Sequence, residues 1–257
     1  MAKLNNEAIK IIKIWRDHGP GTSKIDLKLA FNEIVLPKSN GDRATIIEDE
    51  FDSFEGIMAR KRGSPEWRIG VSSKIAYAPR KNYTLAHEIG HFIGHRYKQD
   101  KFYCTRENID DNYINTLEIE ANEFAATLLM PADLIRKFDD EFLFCHEAVL
   151  DLSNMLGVSK EAASYRWVQL SSKAIGFIIS RDGFIRNGRA SDSLLKKRVF
   201  FQSGAEVPPG ALTMRLDSFN RTLSGNVDAK VWHPIEPCVE SCFAASNGDY
   251  IYTYLNF

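Results

Sequence analysis

The run Thr84-Leu85-Ala86-His87-Glu88-Ile89-Gly90-His91 constrains this chain more than any other segment. Histidines four apart project from one face of a helix and can share one metal ion, while a glutamate one residue after the first lies beside them, placed to act on water. The spacing therefore predicts a helix over Tyr83 to Arg96. Gly90 and Gly94 flank the histidine face inside it, each costing about 1 kcal/mol relative to alanine. Glycines kept at that cost imply that other elements approach the helix closely.

A zinc site with three protein ligands needs one more donor, and the segment Leu117-Glu118-Ile119-Glu120-Ala121-Asn122-Glu123-Phe124-Ala125-Ala126-Thr127-Leu128-Leu129 offers three carboxylates. At about 100° per residue, Glu118 shares an arc with Leu117, Ala121, Ala125, Leu128 and Leu129, whereas Glu120, Glu123 and Thr127 take the opposite, polar face. An inward carboxylate opposite two histidines is best balanced by a cation, because burying it unpaired is expensive. His87, His91 and Glu118 are thus the expected ligands and Glu88 the expected general base. Asn122, one turn after Glu118, is placed to accept the free ring N–H of a ligating histidine. The ligand set favours zinc and also accommodates manganese or iron.

These residues carry a resemblance. HExxH followed by ExxxN, embedded as TLAHEIGHFIGHR and EIEANEFAATLLMP, resembles the ImmA/IrrE family of metallo-endopeptidases, relatives of the gluzincins. The likeness is strong over residues 50 to 135, moderate to 172 and loose beyond. It implies the same ligands, the same catalytic glutamate, and a substrate that is a helix-turn-helix transcriptional repressor, cut to release stress-response or mobile-element genes. A metzincin would carry a third histidine ten residues after the first, but Tyr97 stands there. Tyr165, Arg166, His95 and Tyr113 are candidate donors to a developing oxyanion. By fold analogy, an edge strand at Trp67 to Val71 or Ile75 to Tyr77 would pair with the extended substrate.

Around this site the chain reads as an α+β protein. An amphipathic helix at Ala8 to Trp15 precedes short strands at Thr45 to Ile47, Gly56 to Ala59 and Trp67 to Val71. An acidic loop from Asp100 to Asn112 leads to a second helix, about Asn115 to Met130, stopped by Pro131. Three regions follow from this reading: a zincin-like peptidase domain over 1–133, a helical, helix-turn-helix-like segment over 134–172, and a β-rich, GAF- or PAS-like region over 173–257. In the last, strands are expected at Ile175 to Ser180, Asp228 to His233, Cys242 to Ala245 and Tyr250 to Tyr254, with turns at Asp182-Gly183 and Asn247-Gly248. Its expected role is to read a partner or a small-molecule effector.

Bulk properties narrow the partners. The 257 residues carry a net charge of -1, with no electrostatic footprint for nucleic acid or anionic membrane. In the helix-turn-helix-like stretch Lys160 and Arg166 are offset by Glu161, which argues against direct DNA binding. No apolar run reaches the ~18 residues of a membrane span. Without a signal peptide, the four scattered cysteines read as free thiols in the cytoplasm; Cys238 and Cys242 form a CxxxC pair without a partner pair. The competing function is a DNA-binding or ligand-sensing regulator with a structural or vestigial metal site, and Glu88 argues against it.

Overall fold

The computed structural model describes residues 2–105, 116–217, 219, 221–245 and 249–257. Tyr113 and the Asn247-Gly248 turn lie outside the described residues. The chain divides into two compact units, one of residues up to Pro131 with Asn154–Ser159, the other of Ala132–Ser153 with Lys160–Phe257. The boundary expected near residue 172 falls within the second unit.

The first unit begins with α1 (Ala2–His18), which buries Leu4, Ala8, Ile11, Ile12 and Trp15, the stripe of an amphipathic helix. Three strands follow, β1 (Arg43–Asp49), β2 (Gly56–Arg60) and β3 (Glu66–Ser72), then α3 (Ala78–His95), β4 (Lys101–Cys104) and α4 (Thr116–Leu129); α2 is the short turn Leu27–Ala30. The sheet order is β1-β3-β2-β4, with β1 parallel to β3 and the other pairs antiparallel. Here the structure corrects the sequence reading twice. Trp67 to Val71 lies in β3, which is bonded on both sides and offers no free edge, and Ile75 to Tyr77 is not a strand. The outer strands are β1 and β4, and β4 occupies part of what reads as an acidic loop.

Helix α3 is sandwiched as its glycines require. A Cβ on Gly90 would meet Phe124 at 3.0 Å and the Ala121 backbone at 3.3 Å, so the missing side chain lets α4 lie directly against the histidine helix without a shift of either. A Cβ on Gly94 would meet Leu4 of α1 at 3.0 Å. Buried Arg96 ends α3, donating to the carbonyls of Phe92 and Ile93 and to Asp42, which satisfies carbonyls left open at the helix terminus.

The second unit holds α5 (Ala132–Glu141), α7 (Lys160–Leu170) and a five-stranded antiparallel sheet; α6 (His146–Leu156) leads to α7 through a turn where Gly157 has φ of 68°. The strands are β5 (Ile175–Arg181), β6 (Phe184–Ala190), β7 (Thr222–Val227), β8 (Cys238–Ala244) and β9 (Ile251–Asn256), in the order β6-β5-β9-β8-β7, and α8 (Asp192–Lys196) follows β6. Buried Asp139 joins the helices, accepting from Trp167 Nε1 at 2.7 Å and from the Ser171 hydroxyl. Phe144 packs edge-on against both Trp167 and Tyr254, tying the helices to the sheet. The opposite sheet face buries Ile178, Ile185, Val227 and Leu255 with Val207 and Ala211. Asp228 to His233 is a turn rather than a strand: Lys230 takes φ of 78°, and the strand lies just before it, in β7. Cys238 and Cys242 are free and buried on β8, about 13 Å apart along the strand, and burial pushes both thiols up to about 12. Neither is a reactive pair.

Candidate metal centre

Three electron-pair donors converge between α3 and α4. His87 Nε2 lies 3.0 Å from His91 Nε2 and 3.1 Å from Glu118 Oε2, and His91 Nε2 lies 3.4 Å from Glu118 Oε1. Both imidazoles are fully buried. Their protons can be placed from their other nitrogens. His87 Nδ1 is 2.9 Å from Asn122 Oδ1, an acceptor, so the ring donates there and Nε2 keeps its lone pair. Tyr83 donates to the same Asn122 oxygen at 3.1 Å.

For His91 the placement runs through a second histidine. His95 Nε2 is 3.0 Å from Glu120 Oε2 and donates to it, which leaves His95 Nδ1 to accept from His91 Nδ1 at 2.9 Å. His91 Nε2 therefore also presents a lone pair. Burial pushes His91 down to about 4, so the ring is neutral at pH 7. Two lone pairs and a carboxylate thus face one another without a proton between them, an arrangement that a divalent cation would balance. The residues present fit a metal ion.

His95 and Glu120 take a different place from the one the sequence indicates. Glu120 is not on an open polar face: its side chain is 19% exposed and reaches His95. The buried face of α4 is wider than the assumed arc because it includes Phe124, fully buried and only about 40° round the helix from Glu120. The pair holds His91 in one tautomer. Replacing His95 with leucine, which strands the His91 Nδ1–H, is expected to weaken metal affinity about 10–100-fold. Glu120→Gln, which keeps an acceptor oxygen, is expected to cost less than about tenfold, and chelator competition on the purified variants measures both.

Glu88 sits among these groups without ordinary support. It is fully buried, and apart from the weak thiol donor of Cys104 neither carboxylate oxygen has a hydrogen-bond partner. Gly56 of β2 makes room for it, since a Cβ there would come within 2.2 Å of Glu88 Oε1. Burial pushes the Glu88 carboxyl up to about 8 from its ordinary 4.5, with Cys104 opposing and the Glu118 charge adding to the rise. A raised carboxyl stabilises the fold fully below about 4.5 and loses that contribution as pH climbs to about 8, because only the unfolded chain releases the proton in that window. In chelator-stripped protein, the stability of wild type relative to Glu88→Gln is therefore expected to fall over this range, with a limiting slope of about 1.4 kcal/mol per pH unit. Denaturant titrations of both proteins at several pH values check it; parallel curves would contradict it.

Cys104 is the residue the sequence reading passed over. Its Sγ and the ligand atoms of His87, His91 and Glu118 all lie within 4.8 Å of one another. Strand β4 delivers it: Phe102 and Cys104 alternate inward, Phe102 stacking on the His91 ring with centroids 4.4 Å apart, and Cys104 pairs with Gly56. The signal was the alternation in Lys101-Phe102-Tyr103-Cys104. Tyr165 and Arg166 belong to the second unit, where Tyr165 packs edge-on against Phe177 and Arg166 donates to Gln169.

A helix carrying HExxH, an inward glutamate from the next helix and a buried carboxylate beside them define the class of HExxH metallopeptidase centres. Residues 45–168 match the peptidase M78 family, described as the IrrE N-terminal-like domain, which supports the resemblance to the ImmA/IrrE family over this segment. A solved structure of a Mycobacterium tuberculosis transcriptional regulator is similar over 100% of this chain and 76% of that one, with a TM-score of 0.55 and 11% identity, a likeness of fold alone. No curated protein sequence matches significantly. Among the described residues, no helix is long and apolar enough to cross a membrane.

Proposed function

We propose that this chain is a zinc-dependent endopeptidase that makes site-specific cuts in a cytosolic regulatory protein, a helix-turn-helix transcriptional repressor. The observation that carries this reading is Glu88, a buried carboxylate with no partner but the weak thiol donor of Cys104, beside the convergent donors of His87, His91 and Glu118. A purely structural metal site has no need of such a group. His87, His91 and Glu118 would hold the ion, which when bound supplies Lewis-acid polarisation of a peptide carbonyl and lowers the pKa of water toward neutrality. Glu88 takes the proton of the attacking water and returns it to the leaving amide nitrogen, a role that needs its carboxylate form, which a cation beside it would favour. Asn122 and the His95–Glu120 pair keep both imidazoles oriented.

The narrow specificity is inferred from the division of labour in the chain. Residues 173–257 contain no metal donor of this site and serve to read a partner or a signal. An extended segment of the substrate would reach the site by pairing with an outer strand, and β4, adjacent to Glu88 through Cys104, is the better placed of the two. The test is incubation with the repressor encoded nearest the gene, with and without chelator. Two discrete fragments that vanish with chelator and return with zinc are expected. Rapid cutting of unfolded casein at many sites, with the repressor spared, would replace this reading with that of a general peptidase.

A further inference from the structure

We propose that Cys104 is a fourth protein ligand, closing the metal centre in the resting protein. The inference rests on the metal reading above and adds what occupies the ion's remaining face. Bonds of about 2.0 Å to nitrogen and oxygen and 2.3 Å to sulfur place tetrahedral donor atoms about 3.2 to 3.8 Å apart. The four donors already lie within 4.8 Å of one another, so closure asks for a displacement of about 1 Å at the sulfur. The backbone restricts the alternatives for this side chain. Cys104 is fully buried on an inward register position of β4, with Phe102 two residues before it packed on the His91 ring.

A second observation points to the same spot. Glu88, buried and without an ordinary hydrogen-bond partner, is aimed at the space beside these donors, and the Cys104 thiol lies within reach of its carboxylate. When the sulfur binds, the S–H bond is given up, its proton is released to solvent, and the sulfur lone pair fills the position that water would otherwise take. The resting chain is thereby restrained, since a bound substrate must displace the sulfur before water and the peptide carbonyl can approach. This supplies a restraint for a peptidase working among cytosolic proteins.

Cobalt replaces zinc in such sites and reports sulfur ligation directly through a charge-transfer band in the near ultraviolet. Full-length protein reconstituted with cobalt is expected to show that band. Cys104→Ser and Cys104→Ala are each expected to lose it while still taking up a full complement of cobalt, because three ligands remain. Their zinc affinity, read by chelator competition, is expected to fall by at least about tenfold, no less than the loss of an outer hydrogen-bond partner. Cobalt-loaded wild type without the band overturns the proposal whatever the variants do, and so does a band that survives both substitutions, because the sulfur would then come from elsewhere. A wild-type protein that takes up no cobalt or zinc sinks the metal reading itself and this proposal with it.

Discussion

Glu88→Gln is expected to lower peptide-bond hydrolysis about 10²–10⁴-fold while leaving metal content unchanged. The two halves of that result come from different features of the site. Glu88 contributes no atom to the convergent group of His87, His91, Cys104 and Glu118, so its removal leaves every candidate ligand in place. Glutamine has the shape of glutamate and fits the space opposite Gly56, where a single added carbon would collide with the carboxylate. It cannot take a proton from water. Because the wild-type carboxyl is fully buried and raised to about 8, the uncharged amide is also a comfortable occupant, and the variant should fold at least as well near neutral pH. Turnover of the repressor and zinc content, measured on the same preparation, decide the matter. Loss of zinc together with activity would make Glu88 a ligand or a structural support instead of a base.

The second large effect concerns the ligands themselves. Glu118→Gln is expected to weaken zinc binding more than about 100-fold, beyond the range for an outer hydrogen-bond partner, because it removes a donor and its charge together. Its carboxylate is 13% exposed and meets both imidazoles at 3.1 and 3.4 Å. Glu123→Gln on the same helix, whose carboxylate accepts from Asn5 instead, is expected to leave zinc in place. Metal analysis of the two purified variants, after identical dialysis, separates them. Zinc retained by Glu118→Gln and lost by Glu123→Gln would mean that the helix presents a different face to the site.

What could be read beforehand was what rides on helical period. The spacing of His87, His91, Glu118 and Asn122 depends only on about 100° per residue, and the glycines at 90 and 94 announced close neighbours before those neighbours were known. The sheet was harder. β4 is four residues long, begins after Asp100 and alternates only twice, so its charged and polar flanks hid it, and Cys104 with it. β3 reads as a good edge strand because nothing in Trp67 to Val71 says which strands will flank it. In the second unit, Ser224, Gly225 and Asn226 have poor strand propensity yet form β7 through pairing with β8, whereas Val231 and Trp232 have good propensity and sit in a turn that places Trp232 Nε1 2.7 Å from the buried Glu240 carboxylate. Tertiary pairing outweighed local preference in both places. The role of Glu120 was missed for a related reason: a face that is polar in sequence lies beside Phe124 and meets His95 from another helix.

The central claim is that this chain hydrolyses a peptide bond, and hydrolysis leaves a mark that binding or sequestration does not. Cleavage of the repressor by zinc-loaded protein in ¹⁸O-labelled water, followed by intact-mass spectrometry, records that mark. The expected result is two fragments in equal amount, with a single labelled oxygen at the new carboxyl terminus, and neither fragment when Glu88→Gln replaces the wild type. A repressor that stays intact with the fully loaded, Cys104→Ala protein, or fragments without the label, would contradict the account.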